Sequence, residues 1–415
     1  MSSCSGIFSQ IDFGRITMSL DNFEEHNPGK SETPHVNNTN IRSLKELIDI
    51  ASGKNISHYD FQHDSGIAEP LFYPFLGIVG QYEMKLALIL TIINPNIGGV
   101  LLIGPRGTAK TTSVKGLVDI LPFVESSSCQ FGCLPEDIDV NGIDGVCPEC
   151  AQKYAENISI SEFSKVKIIE LPLNTDLESV TGSIDEIYHK NNKMHLKRGI
   201  LSLADKNILY IDEVNLLSNE TINSILDAAA MGKYTVRSAS LSSTFRSRFT
   251  LIGSMNPEEG NLRPQIMDRF GLRVVTRGLD NDADRLEAYF RVSHYLSNPY
   301  EFIQIYRDEN NIARQEIENA RKFVWKVKID SKIAKYGIEL IKDLNIHSLR
   351  AELTLFEAAK ALAASENRDQ ITIEDIKSIA PMALRLRRST YINNFIENNE
   401  AENEEINSVL DKILE

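Results

Sequence analysis

The chain has 415 residues, 42% hydrophobic and 25% charged, the make-up of an ordinary globular protein of two or three domains. Its formal net charge of −14 argues against the broadly basic surface that an extended nucleic-acid footprint needs. No uninterrupted apolar run is long enough to span a bilayer, and the opening residues MSSCSGIFSQIDFGR lack a charged-then-apolar leader, so a cytoplasmic setting is expected.

Residues 1–70 are rich in Ser, Asn, Asp and His, with apolar residues too scattered to build a core, and are expected to form a weakly structured arm. One short amphipathic helix is predicted there, at Ser43 to Ala51, with Leu44, Leu47 and Ile48 on one face. The globular part begins near Pro74. Tyr82 to Ile93 has the spacing of an amphipathic helix, closed by Asn94-Pro95-Asn96. Val100 to Ile103 is a short apolar run that predicts a buried parallel strand. Gly104, Pro105, Arg106, Gly107, Thr108, Ala109, Lys110, Thr111 and Thr112 follow, with a helix predicted from Lys110 to Leu121 and stopped by Pro122. Strand, glycine turn and helix in this order predict a phosphate-binding loop. Backbone N–H groups around Gly107 to Lys110 would wrap phosphates at a helix N-terminus, Lys110 would reach the β- and γ-phosphates, and the Thr111 hydroxyl would sit on Mg²⁺. Ala109 stands where the usual pattern has its second Gly, and is tolerable there if its φ is negative, as on entering a helix.

Next come two cysteine pairs, Cys129 with Cys133 and Cys147 with Cys150. Two close pairs separated by a loop are the arrangement of a tetrahedral four-thiolate site. Zn²⁺ is the expected ion; an iron–sulfur cluster accepts the same donors, and free thiols in a loop are the plainer alternative. Cys4 has no partner nearby. Lys165 to Leu173 predicts the next strand.

Asn207 to Leu217, NILYIDEVNLL, is the second anchor: an apolar strand that ends in Asp212-Glu213. Beside a phosphate loop, Asp212 would hold the Mg²⁺ shell and Glu213 would polarise the water that attacks the γ-phosphate. A helix at Ser218 to Gly232, a hairpin at Tyr234 to Ser243 and a buried strand at Phe249 to Ser254 are predicted next. Asn256 would then lie at a strand end beside Asp212, where an amide can orient water and sense the γ-phosphate. Leu262 to Leu272 carries Arg263 and Arg269, with Arg273 just after; Arg269 is the preferred candidate to reach a neighbour's γ-phosphate and Arg263 the second.

From Asp280 the pattern is helical: Asp282 to Leu296, Asn311 to Val327, Ser331 to Leu344, Ser348 to Ser365 and Thr372 to Ala380. Thr372 and Asp375 make a capping pair, and Pro381 is expected to break the last helix. Arg350 opens the fourth of these helices against its dipole, which a phosphate partner would explain. The chain ends in a solvated acidic tail.

The order FLGIVGQ, GPRGTAKTT, ILYIDEVNLL, GSMNPEEGNLRPQIMDRFGL and SLRAELTLFEAAKALA closely resembles the ATPase I subunits of magnesium chelatases, AAA+ proteins of the helix-2-insert clade, from about Tyr73 to Arg388. The resemblance implies an α/β three-layer AAA+ core with a parallel sheet at 71–280 and a small all-α lid at 281–395; the cysteine-containing insert at 129–163, the N-terminal arm at 1–70 and the tail at 396–415 are read from the residues, and the insert and arm depart from the pattern of photosynthetic members. It implies ATP and Mg²⁺ as cofactors, with Lys110 and Thr111 as Walker A residues, Asp212 and Glu213 as Walker B, Asn256 as sensor 1, Arg269 as trans finger and Arg350 as sensor 2. It further implies a homo-oligomeric ring, expected as a hexamer, that drives Mg²⁺ insertion into protoporphyrin IX with an adaptor and a porphyrin-binding catalytic subunit. The alternatives are the motor of a cobalt-type chelatase, a MoxR-like AAA+ chaperone and, against the acidic balance, a DNA-dependent helicase.

Overall fold

Four-residue runs that are apolar at every position need burial on both faces, and the strands of the central sheet receive it. The computed structural model describes residues 71–129, 131–173, 175–185, 195–238 and 241–389. The N-terminal arm with its predicted helix, and the acidic tail, lie outside the described residues. Helix α1 (Tyr82–Ile93) leads to strand β1 (Val100–Ile103), and α2 (Lys110–Gly116) follows the glycine turn. Strand β2 (Phe123–Ser127), helices α3 (Pro135–Asn141) and α4 (Pro148–Ala155), and strand β3 (Ser161–Lys165) form an excursion closed by antiparallel β2–β3 pairing. Strand β4 (Ile168–Leu171), helix α5 (Leu177–Thr181), the antiparallel pair β5 (Gly182–Asp185) and β6 (His195–Arg198), and helix α6 (Ile200–Leu203) precede β7 (Ile208–Ile211). Helix α7 (Asn219–Met231), the hairpin β8 (Lys233–Ser238) and β9 (Leu241–Arg246), β10 (Thr250–Met255), α8 (Pro264–Arg269) and β11 (Leu272–Val275) complete the α/β part.

Five strands form one parallel sheet in the order β11-β1-β10-β7-β4. Parallel strands bring all carboxyl ends to one edge, so the loops leaving β1, β7 and β10 meet there. Side chains alternate between layers. Val100 and Leu102 pack with Leu88 and Ile92 of α1, while Leu101 and Ile103 join Ile222, Ile225 and Leu226 of α7. At Gly104 a Cβ would stand 2.2 Å from Thr276 Oγ1, so the exit of β1 past the end of β11 needs glycine.

The helical part comprises α9 (Asp282–Ser297), α10 (Pro299–Ile305), α11 (Arg307–Phe323), α12 (Ser331–Asp343), α13 (Leu349–Ser365) and α14 (Ile373–Leu384). Helix α13 buries Ala351, Ala358, Ala359, Ala361 and Ala363, small residues that let its neighbours approach closely, and it shares one core with α1 and the sheet. Thr372 Oγ1 accepts from the Asp375 N–H at 3.3 Å and the Asp375 carboxylate accepts from the Thr372 N–H at 2.7 Å, a reciprocal cap for α14. Asp268, in α8, ties the two parts together. It accepts from Arg387 at 2.6 Å and from the Ser348 hydroxyl at 3.0 Å, while Arg387 also donates to the Gly271 carbonyl at 2.9 Å.

Three predicted elements come out differently. The helix after the phosphate loop is α-helical only to Gly116 and tightens into a 3₁₀ turn over Leu117–Asp119, where the chain passes so close to Tyr73 that a Cβ on Gly116 would meet its carbonyl at 2.6 Å. The strand predicted at Lys165 to Leu173 divides: Lys165 ends β3 in the insert, and Ile168–Leu171 alone joins the sheet. Pro381 does not break the last helix, which runs on to Leu384. Proline removes only the N–H that would reach the Lys377 carbonyl, and both residues lie on the exposed face, where water can satisfy that carbonyl.

Candidate functional site

The acidic end of β7 and the phosphate loop after β1 meet at the carboxyl edge of the sheet. The Thr111 hydroxyl donates to Asp212 Oδ2 at 3.1 Å. The Tyr210 hydroxyl donates to Asp212 Oδ1 at 2.9 Å and lies 3.2 Å from Thr111 Oγ1. Ser254 Oγ donates to Asp212 Oδ1 and accepts from the Glu213 N–H at 3.0 Å. A carboxylate oriented by three hydroxyls, one of them beside the phosphate loop, is a hard-oxygen donor set of the kind Mg²⁺ takes together with a nucleotide. Burial pushes the Tyr210 phenol up, so it stays protonated and serves as a donor.

Arg106, Gly107, Thr108, Ala109, Lys110, Thr111 and Thr112 line one cleft together with Asp212, Glu213, Ser254 and Asn256. Gly104 and Pro105 turn their carbonyls to Lys110, whose ammonium donates to them at 2.7 and 2.8 Å. Burial lowers the Lys110 ammonium, and Asp212, Glu213 and Glu259 pull it back up. Arg106 pairs with Glu259 and lies 3.7 Å from Glu213. Burial, and then the neighbouring Glu259 charge, raise the Glu213 carboxyl above its ordinary range. Asn256 is buried, its Oδ1 accepting from the Glu258 N–H at 3.2 Å and its amide donating to Glu259 at 3.4 Å. A carboxylate that can take a proton, an amide and a lysine converging on a phosphate-sized cleft can hold a nucleotide and activate water against it.

Ala109 does not enter the helix with negative φ: it is left-handed, at φ 63° and ψ 22°. The loop must reverse here to aim its N–H groups inward, so the conformation is set by the loop and the methyl group is accommodated at a cost. Ala109→Gly is therefore expected to raise stability by roughly 0.5–1 kcal/mol in urea unfolding, the strain relieved outweighing the added freedom of the unfolded chain.

Arg269 and Arg350 lie elsewhere, lining a second cleft with Asp268, Leu226, Leu353 and Thr354. Arg269 pairs there with Asp227. The structure thus brings two of the singled-out arginines together and puts neither among the residues lining the phosphate-loop cleft. Arg263 is exposed at the start of α8. Arg273 is fully buried, donating to the Met267 carbonyl at 2.8 Å and the Arg385 carbonyl at 2.9 Å, and serves the fold.

Sequence reasoning missed Tyr210, Ser254, Arg106 as an ion-pair partner and Glu259. The available signal was a tyrosine inside a strand buried on both faces, since a buried hydroxyl needs a partner. The Arg106–Glu259 pair joins residues far apart in the chain and left no local signal.

In the insert, the sulfurs of Cys129, Cys133, Cys147 and Cys150 all lie within 4.8 Å of one another. A tetrahedral Zn²⁺ site with ~2.3 Å bonds has sulfurs about 3.8 Å apart, so the four need close only slightly. The Cys133 N–H donates to Cys129 Sγ at 3.4 Å, the Cys147 N–H to Cys133 Sγ at 3.3 Å, and the Ser127 hydroxyl to Cys129 Sγ at 3.3 Å. Burial opposes ionisation of Cys129, yet the donors on its own sulfur, the Ser127 hydroxyl first and then the Cys133 and Phe131 N–H groups, outweigh it and hold its thiol well below the usual range.

A five-stranded parallel sheet with a phosphate loop after β1, an acidic end on β7 and a helical part behind defines an ATPase of the AAA+ class. A model of the AAA lid domain matches residues 336–412, and a model of the MCM P-loop domain matches residues 177–284. The magnesium-chelatase subunit ChlI homolog of Methanocaldococcus jannaschii is 42% identical over 77% of this chain and 87% of that protein. Magnesium-chelatase subunit ChlI of Nostoc is 37% identical over 77% of this chain and 85% of that protein, and chloroplastic ChlI-2 of Arabidopsis thaliana is 37% identical over 88% and 84%. A model of the BchI–BchD complex of magnesium chelatase, based on cryo-EM, contains a chain 34% identical, covering 77% of this chain and 98% of that one at a TM-score of 0.44. The chain belongs to the magnesium-chelatase ChlI subunit family.

Proposed function

We propose that this chain is the ATP-hydrolysing motor of a magnesium-chelatase-type complex, which drives insertion of Mg²⁺ into protoporphyrin IX by a partner catalytic subunit through an adaptor. The observation that carries the ATPase reading is the Thr111–Asp212 contact of 3.1 Å beside Lys110, at the edge where parallel strands end. In this reading Thr111 and Asp212 hold the Mg²⁺ of Mg-ATP, which supplies charge neutralisation on the phosphates, and Lys110 with the N–H groups of residues 107–110 binds the phosphate chain. Glu213 takes the proton of the attacking water, and Asn256 orients that water. Arg269 and Arg350 act on a neighbour's nucleotide in a homo-oligomeric ring, taken as a hexamer. Their shared cleft, apart from the phosphate loop, supports this. Zn²⁺ at the four cysteines is part of the proposal, supported by their mutual spacing and sulfur-directed N–H groups; clustered free thiols also suit a reducing compartment, the cytoplasm.

The test is ATP turnover by the purified chain, alone and with a chelatase adaptor and catalytic subunit, while porphyrin fluorescence reports metal insertion. Insertion that needs ATP and is lost in Lys110→Ala carries the reading. ATP turnover with no Mg²⁺ insertion overturns it: insertion of Co²⁺ instead transfers the motor to a cobalt-type chelatase, and no insertion of any metal transfers it to protein remodelling.

A further inference from the structure

The cysteine insert has almost no core except its sulfurs. Among the described residues, Cys129, Cys133 and Cys150 are buried with Ile160, and Ile138, Val146 and Cys147 pack against them. A segment of this size gains most of its folding stability from the ion it closes on. Helix α3 is held in that module at its start and at its middle. Its N-terminus follows Cys133 directly, with the Leu134 N–H donating to Asp137 at 2.9 Å, and Ile138 packs onto the sulfur cluster.

The outward side of α3 carries an unusual contact. Asp137 is only 6% exposed, and a carboxylate that buried needs a cation. Its cation is Arg246, the last residue of β9, paired across the hairpin with Lys233. Burial pulls the Arg246 guanidinium down and Arg248 adds to that, while Glu136 opposes both. Two residues on, Arg248 lies 3.9 Å from Glu136 of α3. The chain then runs straight into β10, which carries Ser254 and ends before Asn256.

We propose that the metal-loaded cysteine module is the anchor of the β8–β9 hairpin: Zn²⁺ at Cys129, Cys133, Cys147 and Cys150 fixes α3, and α3 holds the foot of the hairpin through Asp137 and Arg246. This rests on the zinc reading given above. Without the ion, α3 loses the cluster it packs on, Asp137 loses its fixed position, and the half-buried Arg246 is left without its partner. The hairpin then loosens while the parallel sheet, which owes nothing to the insert's core, stays closed.

The experiment is metal analysis of the full chain, purified without oxygen in the presence of Zn²⁺, followed by hydrogen exchange of peptides from 233–246 with the ion bound and after chelation. One Zn²⁺ per chain is expected, with Co²⁺ giving thiolate charge-transfer bands in its place. Chelation is expected to speed exchange in the hairpin about tenfold while peptides from β1 and β10 stay protected. Asp137→Asn keeps all four ligands and can still accept from the Leu134 N–H; it should retain one Zn²⁺ and show the same faster hairpin exchange. Absence of bound Zn²⁺ and of the Co²⁺ bands, or an iron–sulfur absorbance, overturns the zinc reading itself. Zn²⁺ bound with hairpin exchange indifferent both to chelation and to Asp137→Asn overturns the anchoring while leaving the zinc reading standing.

Discussion

Glu213→Gln is expected to slow ATP hydrolysis about a thousandfold while leaving nucleotide binding nearly unchanged. Glutamine keeps the size of the side chain and the N–H bond to Ser254, and removes the charge that faces Arg106 together with the ability to take a proton from water. Lys110→Ala, by contrast, removes the cation that faces the phosphates and should lose binding itself. Phosphate release and a fluorescent nucleotide analogue separate the two. A Glu213→Gln chain that fails to bind nucleotide would show that Glu213 serves the site's architecture. The pH profile gives a second check. Because burial and Glu259 raise the Glu213 carboxyl, the base becomes protonated at a higher pH than an ordinary carboxylate, and turnover should fall on the acid side correspondingly early. Glu259→Gln removes the like charge and should shift that acid limb downward.

Arg269→Ala is expected to reduce turnover by about three orders of magnitude, again with binding retained, because a guanidinium placed on the γ-phosphate acts in the transition state. The argument for action on a neighbour is positional: Arg269 lines a cleft whose residues include none of the phosphate loop. Mixing settles it. Chains with Lys110→Ala supply an intact Arg269, and chains with Arg269→Ala supply an intact phosphate loop. In an equal mixture of random order about a quarter of interfaces combine both, so two inactive preparations should together regain up to that share of activity. No recovery on mixing under conditions where subunits exchange would place the arginine's action within its own chain.

What was legible in the sequence is what local pattern encodes. The P-loop and the acidic end of β7 each occupy a dozen residues or fewer, and the parallel sheet then dictates that they meet. The Thr372–Asp375 cap and the α1 boundaries are local in the same way. Three kinds of feature were not. Ala109 has a backbone conformation imposed by the loop around it, which the alanine itself does not announce. Pro381 sits in a helix because its lost bond falls on a wetted face, a fact of packing. Arg106 with Glu259, and Asp137 with Arg246, are ion pairs between segments more than a hundred residues apart, which composition and periodicity cannot register.

The Asp268 junction has a consequence for timing. Its carboxylate accepts from Ser348, which stands just before α13 and two positions before Arg350, and it directly precedes Arg269 in the chain. Arg387 bolts the same carboxylate to the end of the helical part. The two arginines are therefore mounted on one bracket, and in the proposed ring they would be offered to a neighbour together. An interface built this way behaves as a two-key lock turned by a single hand: both keys are in, or neither is. In that proposed ring, half-armed interfaces, with the slow, unproductive hydrolysis they would allow, would be removed by carpentry, and the subunits would advance in whole clicks.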